Sequence, residues 1–204
     1  MSKYYISLST INATTLKDVD LTRSKFLGEW RWVSGSRSYF WTTNDAIKEL
    51  VTLKNYEDTG VNKKHDVMLN ALEHYKSGSV TCRIQKVKTD DVIYTVKRFS
   101  SVLASGPIRI TVTNDVVDDK VRMFLNKQGM LSATIHNSAT YDGIEDAESL
   151  ITVSFINRLA LTYKTGTICI RIEQGYPENR YTIVKHIFDV SEVHPAINLF
   201  GGQL

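Results

Sequence analysis

Five histidines, two cysteines and two adjacent aspartate pairs are the side chains of this 204-residue chain most able to do chemistry. His65, His74, His136, His186 and His194 share no i,i+4 spacing, and no cysteine falls at metal-ligand distance from them. A zinc or catalytic metal site needs ligands that converge, so each histidine is expected to be a surface or satisfied core residue. Cys82 and Cys169 form no CxxC pair. They are expected as two buried thiols, the usage of a reducing compartment. Asp90–Asp91 and Asp118–Asp119 are neighbours in sequence. Adjacent carboxylates on a strand point to opposite faces and cannot share one substrate atom. The first pair reads as a hairpin turn and the second as a helix start. There is no GxxxxGK[ST] phosphate loop, no GxGxxG, no GxSxG and no HExxH. The expectation is therefore a non-enzymatic protein with no catalytic residues, no metal and no cofactor.

Cations offer a different chemistry. Lys63 and Lys64 precede a predicted helix, and Arg83, Lys86, Lys88, Lys97 and Arg98 line a predicted hairpin. Opposed only by Asp90 and Asp91 at the turn, they are expected to form a positive face for the phosphates of anionic lipid or RNA. A formal charge of +3 permits such partners without demanding one. The stretch "GEWRWVSGSRSYFW" (28–41) holds all three tryptophans. Trp30 and Trp32 share one side of a predicted strand, and Trp41 sits just before a helix. Stacking on single-stranded nucleic acid would want interleaved cations, and only Arg31 and Arg37 accompany them. All three are expected in the core.

The elements that must position these residues follow from periodicity. "EWRWV" alternates as a half-buried strand, and "TNDAIKELVTLKNY" is helical, capped by Thr43 or Asn44. "DVMLNALEHY" (66–75) is a second helix. "SVTCRIQKVK", "DDVIYTVKRF" and "PIRITVTN" are alternating and β-branched, with "KTDD" turning between the first two. "DDKVRMFLNKQG" reads as a short helix and "MLSATIH" as a strand. "DGIEDAESLITVSFINRL" begins as helix and ends either as more helix or as a strand, and "TICIRIE" and "RYTIVKHIF" close as strands. Helices set between strand blocks, without regular βαβ alternation, predict an α+β fold: one compact domain with a mostly antiparallel central sheet flanked by helices. Residues 28–190 would be that domain, 1–27 an N-terminal arm and 191–204 a tail. With 42% hydrophobic and 23% charged residues, wholesale disorder is excluded. The N-terminus lacks the pattern of a signal peptide, and "SLITVSFI" (149–156) is too short to span a bilayer. Membrane contact would be peripheral.

The order of elements resembles one family. The strand is followed by an arginine-aromatic turn ("SRSYF"), a helix ("NDAIKELVTL"), a loop with Gly60 and a second helix ("HDVMLNALEHYKSG") leading into the central sheet. Further on, "SGPIRITVTND" precedes "IHNSATYDGIEDAESLITVSFINRLALTYKTGTICIRIE". From Gly28 to Glu173 this pattern is similar to the matrix proteins of rhabdoviruses. The resemblance implies a virion structural protein that self-associates on the inner face of the envelope, contacts anionic membrane lipid, condenses the viral nucleocapsid and drives budding. It would occupy the virion and the host cytoplasm, membrane or nucleus. An N-terminal segment that docks on the neighbouring subunit is part of that picture, and Tyr4, Tyr5, Ile6 and Leu8 are the candidates. Departures are plain: no PP pair for a budding motif, and only Lys3, Lys17, Arg23 and Lys25 against Asp18 and Asp20 in the arm. These suit a plant-infecting member. A second resemblance is to plant virus movement proteins of the 30K superfamily, through Asp115 of "IRITVTND" and Gly166 of "YKTG". It implies cooperative binding of single-stranded RNA. A small-ligand or protein-binding module of another kind is the third reading.

Overall fold

The computed structural model describes residues 3–11, 16–23, 30–33, 37–52, 79–99, 105–116, 122–177 and 179–193. The chain divides into two compact units, residues 1–100 and 101–204. The first contains β1 (Tyr4–Ile11), β2 (Leu16–Arg23), β3 (Trp30–Val33), α1 (Thr43–Thr52), β4 (Ser79–Lys86) and β5 (Val92–Phe99). The second contains β6 (Ile108–Asn114), β7 (Met123–Leu125), β8 (Leu131–Ser132), α2 (Ile144–Ser149), α3 (Val153–Tyr163), β9 (Thr167–Tyr176), β10 (Asn179–Asp189) and α4 (Val190–Val193). The strand pairings within each unit are antiparallel, and the helices lie between strand blocks. The fold is α+β, as the pattern of the sequence implies.

In the first unit the strands lie in the order β3-β2-β1-β4-β5. This corrects the expectation of an N-terminal arm within residues 1–27. β1 is a central strand: Ser7–Ile11 pair with β2, and Tyr4–Ile11 pair with β4. Tyr5 and Ile6 are both buried, at 4% and 0% exposure, although consecutive strand residues face opposite ways. A segment covered on both faces and bonded along both edges gives up its backbone and its apolar surface to its own chain. Tyr4, Tyr5, Ile6 and Leu8 are therefore no docking segment for a neighbour. Tyr4 also exchanges two backbone hydrogen bonds with Phe40, at 2.9 and 2.8 Å.

Helix α1 starts at Thr43, and its cap is Thr42, one residue before the expected one. The Thr42 hydroxyl accepts from the Asp45 backbone N–H (3.0 Å) and donates to the Asp45 carboxylate (2.6 Å), a reciprocal cap that satisfies an orphan donor. Ala46, Ile47, Leu50 and Val51 form its buried stripe, which packs on β1 and β4. Each large side chain buried there stabilises the unit by about 1.5–3 kcal/mol. The expected helix over 66–75 lies outside the described residues.

In the second unit the order is β10-β9-β6-β7-β8. Ile108, Ile110, Val112, Ile168, Ile170 and Ile172 share one face by register and are all buried. α2 packs on β6 and β9, and α3 packs on α4. Two sequence expectations give way here. Within the helix expected over 118–129, residues 123–125 are strand β7, because Phe124 and Leu125 both find buried places beside β6. The strand expected over 130–136 shrinks to Leu131–Ser132 before a turn of 3₁₀ helix. The segment from 142 begins as helix, as expected, and its end is helical as well: the first helix stops after Ser149, and Thr152 caps α3 afresh by accepting from Phe155 N–H at 3.2 Å.

Candidate functional site

The β4–β5 hairpin carries most of the predicted cations, and its register shows where each one points. Paired residues of an antiparallel ladder share a face. Arg83 pairs with Ser7 and Thr95, and Thr81 pairs with Ser9 and Lys97. Lys86 pairs with Tyr4, and Arg98 with Val80, in the alternation that holds Ile6, Ile84, Tyr94 and Val96. Arg83 and Lys97 therefore stand on one face, while Lys86 and Arg98 belong to the other. Arg98 is buried, at 8% exposure. Lys88 is exposed in the turn, and Lys63 and Lys64 lie outside the described residues. The single positive face expected from the sequence is not formed. Positions 83 and 86 are an odd number apart and 97 and 98 are adjacent, so a period of two must divide them.

The cations on the first face are also engaged. An Arg83 guanidinium N–H donates to the Ser9 hydroxyl, and the Lys97 ammonium lies 5.1 Å from the centre of the Phe99 ring. Ser7 donates to the Gln85 side chain (2.6 Å), which donates in turn to the Asp90 carbonyl (3.0 Å). The acids of the turn are structural, as expected. Asp90 adopts a left-handed φ of 57° and its carboxylate accepts the Tyr5 hydroxyl at 2.8 Å. The Asp91 carboxylate accepts from Thr89 at 2.6 Å. Asp118 and Asp119 lie outside the described residues.

A more open site stands at residues 37–41. The ladder contact at Phe40 fixes this extended segment against Tyr4, so Tyr39 and Trp41, one residue to either side, turn away together. They are 49% and 56% exposed. The Lys3 ammonium sits over both rings, 4.5 Å from the Trp41 centroid and 5.9 Å from that of Tyr39. The Arg37 guanidinium covers the Tyr5 ring at 4.1 Å. Trp41 is thus not a core residue, contrary to the sequence reading; the side chains of Trp30 and Trp32 lie outside the described set. Lys3, Tyr39 and Trp41 escaped the search for a functional cluster because Lys3 is 36 positions from Tyr39. Only the bridge between Tyr4 and Phe40 joins them.

The second unit has an open apolar cleft of about 490 Å³, lined by Met123, Met130, Leu131, Phe155, Leu159 and Tyr163. Burial raises the Tyr163 hydroxyl above its ordinary pKa. The other polar side chains at the cleft serve the fold: Arg158 donates to the Gly129 carbonyl (2.7 Å), Thr162 to the Arg158 carbonyl (2.8 Å) and Asn114 to the Thr165 carbonyl (3.0 Å). Neither acid nor histidine lines it among the described residues. Among the described residues no three His, Cys, Asp or Glu side chains gather as metal ligands would, and Cys82 and Cys169 are buried and form no disulfide. No described helix is long and apolar enough to cross a membrane.

Asp115 and Gly166 do meet. The Asp115 carboxylate accepts the Thr167 N–H at 2.7 Å, and the Asp115 N–H donates to the Thr167 carbonyl at 3.2 Å. Gly166 holds a φ of +85°, and a Cβ there would overlap Asp115 Oδ1 and Val116 Cγ2. The pair forms the corner where α3 turns into β9. No protein-family model matches the chain, and neither a characterised protein nor a solved structure is similar to it.

Proposed function

We propose that the protein is a non-enzymatic, matrix-type structural protein of an enveloped virion, which self-associates against anionic membrane and gathers the nucleocapsid. The observation that carries this reading is the ridge of Lys3, Tyr39 and Trp41. Aromatic rings with an apolar body and a polar tip favour the membrane–water interface, and an ammonium beside them adds attraction to anionic headgroups. Two large aromatics left half in water beside the start of β1 fit a peripheral membrane contact. Copies would meet through the apolar surface of the second unit, where Met130 and Leu161 are exposed, at 60% and 54%. The N-terminal strand takes no part in that contact.

The test is sedimentation with vesicles of mixed zwitterionic and anionic lipid across a salt series. One basic residue near such a surface is worth about 1 kcal/mol, so Lys3→Glu should weaken binding by at least about fivefold at low salt. Trp41→Ala should weaken it at every salt concentration, because its contribution is burial of the ring. A protein that stays monomeric at all concentrations, with vesicle binding indifferent to both changes, would refute the proposal.

The meeting of Asp115 and Gly166 favours the 30K movement-protein reading as the alternative. That reading requires Asp115→Ala to abolish cell-to-cell spread in a plant while the purified variant stays folded.

A further inference from the structure

The apolar cleft of the second unit runs along α3. Phe155, Leu159 and Tyr163 follow one another at four-residue steps and form one row on that helix. From Phe155 to Tyr163 the helix rises about 12 Å, at about 1.5 Å per residue. Met123 of β7, Leu131 of β8 and Met130 just before it make the opposite wall. A hollow of about 490 Å³ falls within the range of small-molecule sites. Its length along one helix suits an extended chain better than a compact ring. The two methionines are unbranched and adaptable, able to close around such a chain.

One end of the row is charged. Long helical side chains lean toward the N-terminus of their helix, and Arg158 does so: its guanidinium lies 5.4 Å from the centre of the Phe155 ring. From there it donates to the Gly129 carbonyl at 2.7 Å, spanning the cleft from α3 to the turn between β7 and β8. That carbonyl is the guanidinium's one polar partner among the described residues, and no described acid forms an ion pair with it. Most of its N–H donors are therefore unused. Beyond Arg158 a second hollow of about 280 Å³ opens at the start of α3, where Ser149, Thr152 and Ser154 bring hydroxyls to the wall. Ser154 stands one helical turn before Arg158, on the same side of the helix. Gly129, Phe155 and Arg158 border both hollows. The result is a slot that is apolar along its length and cationic at one end.

We propose that this cleft binds a small amphiphile with a single carboxylate, a medium-chain fatty acid, whose chain lies along Phe155, Leu159 and Tyr163 and whose head meets Arg158. Charge selects the head. A guanidinium with spare donors takes a carboxylate as a two-pronged pair, and one cation balances one negative charge. A phosphorylated head would want a second cation, and among the described residues Arg158 alone supplies charge to either hollow. Burial selects the tail, because each methylene taken out of water adds to affinity. The site uses neither Lys3 nor Trp41, so it is separate from the membrane ridge. Nothing in "VSFINRLALTY" marks Arg158 as a ligand-binding residue; the fold does so by placing Gly129, 29 positions earlier, across from it.

The experiment is isothermal titration calorimetry of the full chain, dilute enough to be monomeric, with octanoate and decanoate below their micelle concentrations. Decanol serves as a chain without charge and acetate as a charge without a chain. One molecule should bind per chain, affinity should rise about fourfold per methylene, and acetate should not bind. Arg158→Gln should weaken decanoate at least about tenfold and leave decanol unchanged. Thr162→Trp, at an exposed position of the wall, should weaken both by filling the hollow. Circular dichroism checks the fold. Decanol held as tightly as decanoate by the parent protein overturns the proposal whether or not the variants fold. So does uptake of many molecules per chain, which is adventitious adsorption. Anionic vesicle binding that depends on Arg158 would assign the cleft to a membrane lipid and overturn the fatty acid as its ligand. A parent that ignores decanoate, with assembly lost in Thr162→Trp, would assign it to a second copy and likewise overturn the proposal.

Discussion

Gly166→Ala is the substitution whose cost the structure defines most closely. Helix α3 ends with Lys164 at φ 65° and Gly166 at φ +85° before β9 begins. An L-residue in the left-handed region is less favourable by about 1–2 kcal/mol. The new Cβ would also overlap Asp115 Oδ1 and Val116 Cγ2. Val116 is 64% exposed and can rotate away. Asp115 must swing off the Thr167 N–H, and that bond lies in an exposed corner where water can replace it, so its loss costs about 1 kcal/mol, the value of an ordinary hydrogen bond. Gly166→Ala should therefore destabilise the chain by about 2–3 kcal/mol, and Asp115→Ala by about 1 kcal/mol. The double variant should cost no more than Gly166→Ala alone, because the bond is lost only once; the coupling is about 1 kcal/mol. Urea unfolding followed by circular dichroism reads this as a midpoint shift of about 1–2 M for Gly166→Ala. Additive costs, or a Gly166→Ala variant within about 0.5 kcal/mol of the parent, would refute the corner as described. Asp115→Asn keeps an acceptor for Thr167 and should be milder than Asp115→Ala.

Two further outcomes follow from burial. Ile6→Ala empties a fully enclosed site on β1, beside its partner Ile84 of β4, and should cost about 2–5 kcal/mol by chemical denaturation, where an arm residue would cost nothing. Burial of the Tyr94 phenol raises its pKa above the ordinary value. A group raised on folding stabilises below its unfolded pKa and loses that contribution as pH climbs. Stability should therefore fall above about pH 10, and Tyr94→Phe should flatten the fall; identical alkaline curves would count against it.

Much of the fold was legible because it is written in short-range pattern. The alternation of "SVTCRIQKVK" and "DDVIYTVKRF" around a polar turn gives the β4–β5 hairpin, and the stripe of Ala46, Ile47 and Leu50 gives α1. "YYISLSTI" alternates as well, yet nothing within it names its partner. Its place in the sheet depends on β4, some 75 positions away, whose edge it fills. The three-residue strand β7 is equally hidden, since "MFL" is apolar in any conformation and β6 alone makes it extended.

The chemistry divides along the same line. Residue types by themselves established a surplus of cations, the lack of known catalytic motifs and a tryptophan-rich segment. Tertiary structure alone decided where the cations stand: it parted Arg83 from Lys86 and set Arg158 across the cleft from Gly129. It also moved Trp41 from core to surface beside Lys3. Charge is additive along a chain, but an electric field or a binding surface depends on distance in space. Strand register, set by pairings dozens of residues apart, is what turns the first into the second.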